Sequence, residues 1–179
     1  MLWCVAIVLS IAPASAEMYI KVDFDSNDDP AIMHEFAGAV NHVAAEHPEV
    51  RGITVATIAS GSLYYAYAEP RKIVLNDLYS SSYEVVARSV EYDIAQRYHP
   101  PLGHCTPVEY LGYHEAAHVL DIARGKVARE ALSAKYGFGS TVRTALSGYS
   151  FDDDGILRPV EALAEAFAAV KCNGGNIAE

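Results

Sequence analysis

Apolar residues recur along this chain in two rhythms, the alternation typical of strands and the three-to-four spacing typical of helices. Met18 to Phe24 alternates, and Asp25-Ser26-Asn27-Asp28-Asp29-Pro30 reads as a turn leading into a helix. From Ala31 to Glu46, the positions Ile32, Phe36, Val40, Val43 and Ala44 fall on one helical face. Arg51-Gly52 then introduces Ile53 to Ala59. After a gap at Ser60-Gly61-Ser62 comes Leu63 to Ala68, and the two runs predict a β-hairpin. Lys72 to Asn76, following Glu69-Pro70-Arg71, predicts a further short strand.

The rest of the chain reads as helices. Ser80-Ser81-Ser82 precedes a predicted helix over Tyr83 to Tyr98, with Val86, Val90, Ile94 and Ala95 as its apolar stripe. Thr106-Pro107-Val108-Glu109 is a capping box with proline at the first helical position. The helix it opens runs through Val108, Leu111, Tyr113, Ala116, Ala117, Val119, Leu120 and Ile122 and stops at Gly125. A helix follows near Val127 to Tyr136, then Gly137-Phe138-Gly139-Ser140, and Arg158-Pro159 starts a last helix through Val170. No internal repeat interrupts the series. Together the elements predict an α+β domain over residues 17–179, a small twisted sheet packed against helices.

Composition narrows the class. With 51% hydrophobic and 20% charged residues, the 179-residue chain reads as a globular protein able to bury a core. A net charge of −10 argues against nucleic acid or anionic lipid as partner and favours basic or neutral polypeptides only weakly.

The capped helix carries the chemistry. His114-Glu115-Ala116-Ala117-His118 places two imidazoles four positions apart on one face, within reach of one zinc ion, with a carboxylate between them that can face a water on that ion. The surrounding residues are apolar, and buried imidazoles need partners. A catalytic zinc takes three protein ligands and leaves one position open. In the last helix Glu161 and Glu165 share a face amid Ala, Leu, Val and Phe. Glu161 is the candidate third ligand, and Glu165, one turn on, is placed to accept the outer N–H of a ligating imidazole. The alternative is a solvated acidic stripe on a surface helix.

His114-Glu115-Ala116-Ala117-His118 followed by Glu161-Ala162-Leu163-Ala164-Glu165-Ala166-Phe167 resembles the gluzincin pattern of an H-E-x-x-H helix and a later E-x-x-A-E-x-F helix. It is similar to the catalytic domain of anthrax lethal factor and to metallopeptidase domains attached to phage head proteins. Val119-Leu120-Asp121 fits the same pattern, as does Tyr149 in Leu146-Ser147-Gly148-Tyr149-Ser150, whereas Ala117 stands where many relatives have glycine. The resemblance spans roughly residues 70 to 170, and only its two helical motifs are specific. It implies a zincin-like fold, with substrate held in extended form along an edge strand. Lys72 to Asn76 is the candidate for that strand.

On this reading the metal centre is His114, His118 and Glu161 with Zn2+, and Glu115 is the general base of peptide-bond hydrolysis. Tyr149 is the candidate hydrogen-bond donor to the tetrahedral oxyanion, with a packing role as its alternative. Asp121 orients either a ligand or a loop, or is simply a residue near the helix end. His34, His42 and His47 form no comparable set, and His99 and His104 flank Pro100-Pro101-Leu102-Gly103, read as a connector that could border the cleft. Asp152-Asp153-Asp154-Gly155 lacks the ligand spacing of a calcium loop and reads as a solvated turn.

Two further features concern the compartment. Leu2 to Ile11 is apolar, Pro13 breaks it, and Ala14-Ser15-Ala16 is a small-residue cleavage signal, so residues 1–16 read as a signal peptide, although one without Lys or Arg. The run is too short for a permanent membrane anchor. The expected location is secreted or periplasmic, or cytoplasmic if the segment is no signal. Cys105 lies nine positions before His114 and Cys172 eleven after Glu161. At 1.5 Å per helical residue both are roughly 14–17 Å from the metal. Antiparallel helices would bring them to the same end, as a disulfide or as two reduced thiols. Three functions remain open: a zinc peptidase, a catalytically silent zinc-stabilised interaction domain of phage origin, and a zinc hydrolase of non-peptide substrates.

Overall fold

A computed structural model of the chain describes residues 17–58, 64–136 and 146–173. Residues 1–16, read above as a signal peptide, the gap at Ser60-Gly61-Ser62 and Gly137-Phe138-Gly139-Ser140 lie outside the described residues. The fold is α+β. Its elements in order are β1 (Lys21–Asp23), α1 (Pro30–Glu46), β2 (Thr54–Ile58), β3 (Ala66–Glu69), β4 (Lys72–Asn76), α2 (Asp77–Ser80), α3 (Tyr83–Ala95), α4 (Pro107–Ala123), α5 (Val127–Tyr136) and α6 (Pro159–Cys172).

The strands lie in the order β1-β2-β4-β3, with β1, β2 and β4 mutually parallel and β3 antiparallel to β4. Register runs from Thr54↔Lys72 to Ile58↔Asn76 between β2 and β4, and from Ala66↔Leu75 to Glu69↔Lys72 between β3 and β4. This corrects two expectations. β2 and β3 do not form a hairpin; the hairpin is β3–β4, turned by Pro70 and Arg71. Nor is Lys72–Asn76 an edge, since β3 is the edge strand beside α4. The physical reason is visible in β4 itself, where Ile73, Val74 and Leu75 are all buried and both faces of the strand are therefore covered.

The core joins Ile53, Val55, Ile73 and Leu75 of the sheet to Ile32, Phe36, Val40 and Val43 of α1 and to Val108, Leu111, Val119 and Leu120 of α4. α4 is the central helix and packs on α1, α6, β3 and α3. Gly112 permits the close approach of α1, because a Cβ there would stand 2.8 Å from both Ala39 Cβ and the Phe36 carbonyl oxygen. The capping box forms as expected, with Glu109 N–H donating to Thr106 Oγ1 (3.1 Å) and Thr106 N–H donating to Glu109 Oε2 (2.9 Å). α3 ends three residues earlier than its apolar stripe predicts, because Arg97 takes a left-handed conformation (φ 59°). That turn sends the chain back to pair with the later loop: Gly148 N–H donates to the Arg97 carbonyl and Tyr149 N–H to the Tyr98 carbonyl.

Cys105 and Cys172 are disulfide-bonded, with Cα atoms 5.1 Å apart, joining the start of α4 to the end of α6. No helix among the described residues is long and apolar enough to cross a membrane.

Candidate metal centre

α4 and α6 bring together the three residues singled out as ligands. His114 Nε2 and His118 Nε2 are 3.1 Å apart, and Glu161 Oε2 lies 3.4 Å from the first and 3.3 Å from the second. Ligand atoms 2.0–2.1 Å from a tetrahedral ion stand about 3.3 Å from each other, so this triangle has the size that a zinc ion requires. Among the described residues these three form the group able to hold a metal. Glu161 Oε2 is buried without a hydrogen-bond partner, while its other oxygen accepts from the Arg158 guanidinium at 3.1 Å. One carboxylate oxygen is thus tied back and the other aimed at the imidazoles, a donor set that fits a single divalent cation.

The electrostatics follow from proximity. Burial alone would lower the pKa of His114, but Glu161 and Glu165 outweigh it and push the value up to about 10. Burial likewise works to raise Glu161 and Glu165, and the histidines beside each hold both carboxyls well below the usual carboxylate range. Glu115 goes the other way: burial raises its pKa, and His114 and His118 only partly offset the rise. Its Oε2 has no hydrogen-bond partner.

Beside His114 stands Glu165, only 2% exposed. It receives the Tyr110 hydroxyl (2.5 Å) and the Ser147 hydroxyl (2.7 Å), and both its oxygens are 3.2 Å from His99 Nδ1. His114 Nδ1 sits 2.9 Å from Glu165 Oε1, an ion-pair distance at an angle too bent for a straight hydrogen bond. Glu165 thus stands at ion-pair distance from the outer nitrogen of His114 without the hydrogen bond expected of it, and the solvated-stripe alternative is excluded by burial.

His99 corrects the connector reading: it is 5% exposed and packs against Tyr110 and Tyr149. No local pattern marked it, because its position depends on the turn at Arg97. Arg158, read only as a helix start, also belongs to the centre. Asp121, in contrast, points away to α5 and pairs with Arg129, so it holds a helix rather than a ligand. Asp152 caps its own turn by accepting from Asp154 and Ile156 N–H, and its neighbours Asp153 and Asp154 are exposed, as a solvated turn requires.

Tyr149 reaches the centre from a 3-10 turn, Gly148–Ser150. Its ring centroid is 5.8 Å from that of His114, and the Arg158 guanidinium lies 5.1 Å over it. Burial and then Glu161 raise its pKa, so the phenol is protonated at neutral pH and can donate. Tyr149, Glu115, His114, His118 and Glu161 all line one cleft of about 350 Å³, which Ala66, Tyr67 and Ala68 of the edge strand also line.

No protein-family model, curated protein or solved structure matches this chain. The chemistry is therefore argued from the centre itself. Two imidazoles and a carboxylate oxygen suit a borderline-soft divalent ion, and a non-ligand carboxylate beside them suits proton transfer.

Proposed function

We propose that the chain is a zinc-dependent peptidase of gluzincin type with a zincin-like fold, in which His114, His118 and Glu161 hold the metal. The observation that carries this reading is the triangle of 3.1, 3.3 and 3.4 Å between the three ligand atoms, with the buried, non-ligand Glu115 on the same wall. The chemistry that zinc would supply in this site is that of a Lewis acid, able to lower the pKa of a water to about 7 and to polarise a carbonyl. Glu115 takes the proton of the attacking water on its carboxylate and returns it to the leaving amine; its burial raises its basicity for that task. Tyr149, protonated, donates its O–H to the oxyanion. Arg158 keeps Glu161 oriented, and Glu165 fixes the His114 ring. The backbone edge of β3 offers an extended peptide a pairing partner along the cleft.

A metal-stabilised interaction domain has no use for Glu115, a buried carboxylate with an unpartnered oxygen, and structural zinc fills its fourth position with Cys or His. The cleft along an edge strand favours a polypeptide over a small substrate. The disulfide supports an oxidising compartment, secreted or periplasmic. Zinc analysis and incubation with a mixed peptide library, with and without chelator, test the proposal. Glu115→Gln is expected to keep zinc and lose most activity, and Glu161→Ala to lose zinc. Equal metal loss in both variants contradicts the division of labour.

A further inference from the structure

Beside the cleft the fold leaves a second hollow of about 510 Å³ that shares His114, Glu115 and Tyr149 with it. Tyrosine rings form its walls. Tyr65 and Tyr79 meet with centroids 4.5 Å apart and Tyr98 and Tyr149 at 5.2 Å, with His99 between the pairs at 6.4 Å from Tyr65 and 5.3 Å from Tyr149. Asp93 of α3 adds a carboxylate whose Oδ2 accepts from the Tyr65 hydroxyl at 2.7 Å and lies 3.9 Å from His99 Nε2. Among the described residues, those lining the hollow include no Lys or Arg, whereas Arg129 and Arg158 line the neighbouring cleft.

We propose that this hollow takes a basic side chain, Lys or Arg, of the polypeptide substrate at a residue flanking the scissile bond. The inference rests on the peptidase reading and names its substrate class. Ring faces carry negative potential and attract a cation, while the aliphatic stem of Lys or Arg packs along the same rings. Asp93 completes the match by placing a carboxylate at the wall, with one oxygen already oriented by Tyr65. A Glu or Asp side chain would face both Asp93 and Glu115, and a Leu side chain would gain packing alone. His99 faces Glu165 through Nδ1, so its ring contributes a surface here rather than a competing ligand. At about 510 Å³ the hollow falls in the range of small-molecule pockets and has room for a Lys or Arg side chain with accompanying water.

The test has two arms. The zinc-loaded protein is given peptides randomised on both sides of the cleaved bond, and the products are read by mass spectrometry. Lys and Arg are expected at one flanking position, with kcat/KM for an Arg peptide about ten-fold or more above its citrulline counterpart. In Asp93→Asn that ratio is expected to collapse towards one, a readout that a general loss of activity does not move. In parallel, calorimetry compares N-acetyl-arginine amide with N-acetyl-citrulline amide on both proteins. Arginine bound about ten-fold tighter by the wild type only supports the pocket. Equal binding of the two amides, or cleavage without basic preference, overturns it and leaves the peptidase reading standing. Charge-selective binding with no peptide cleaved supports the pocket and overturns the peptidase reading.

Discussion

Glu165 gives the sharpest test of how the centre is held. Its two oxygens receive the Tyr110 and Ser147 hydroxyls, face His99 and stand beside His114, all within 3.2 Å and out of contact with water. In Glu165→Gln the amide oxygen can serve Tyr110 and His114, but its NH2 group then meets Ser147 and His99. The stability loss should be about 1–2 kcal/mol. Loss of the charge that fixes the His114 ring should weaken zinc binding about 10- to 100-fold, or roughly 1.4–2.7 kcal/mol. Glu165→Ala leaves the Tyr110 and Ser147 hydroxyls and His99 without their acceptor. At about 1–3 kcal/mol each, partly recovered by rearrangement, the cost is about 3–6 kcal/mol, a large share of a typical domain's stability. Competition with a chromophoric chelator measures the first effect, and urea unfolding of the zinc-free protein the second. Because the folded pKa of Glu165 is depressed, its contribution is full above the ordinary carboxylate value of 4.5 and is lost as pH falls towards the folded value. Zinc affinity of Glu165→Gln within two-fold of wild type would refute the positioning role.

Other outcomes follow from the same geometry. Glu115→Gln should retain zinc while kcat falls by about 10²–10⁴, read by metal analysis and peptide turnover together. Zinc binding at pH 7 should release about one proton, because His114, pushed up to about 10, must give up its proton to coordinate; calorimetry in buffers of different ionisation heat measures this, and zero release contradicts it. In the metal-free protein that raised value stabilises the fold fully below pH 6.5 and the contribution fades as pH rises towards 10. Cys172→Ser opens a bridge between residues 67 apart in sequence and should cost up to about 4 kcal/mol in urea unfolding; a loss under 1 kcal/mol would count against a structural role.

What could be read before the fold was seen is what depends on neighbours in sequence. The capping box at Thr106 and Glu109, the proline starts of α4 and α6 and the four-residue spacing of His114 and His118 are all settled within one or two helical turns. The pairing of β2 with β4 is not, since alternation marks a strand without naming its partner. The unbroken run Ile73-Val74-Leu75 was the available sign of an interior strand, and it outweighs the proximity of β2 and β3 in sequence. His99 stayed hidden for a related reason, since it acquires its role only when residues 97–98 meet residues 148–149, a contact between distant segments that no periodicity announces. Arg158 differs: its pairing with Glu161 spans three residues at the start of α6 and is as local as the capping box.

The convergence of segments on Glu165 bears on any attempt to transplant this centre. A single carboxylate gathers Tyr110 and His114 from one helix, His99 from the turn before it and Ser147 from a loop beyond α5. The smallest portable unit is therefore a four-segment scaffold fragment, α4 and α6 with the turn and the loop, rather than a pentapeptide. A graft carrying only the H-E-x-x-H helix and its glutamate would arrive with its imidazoles free to rotate.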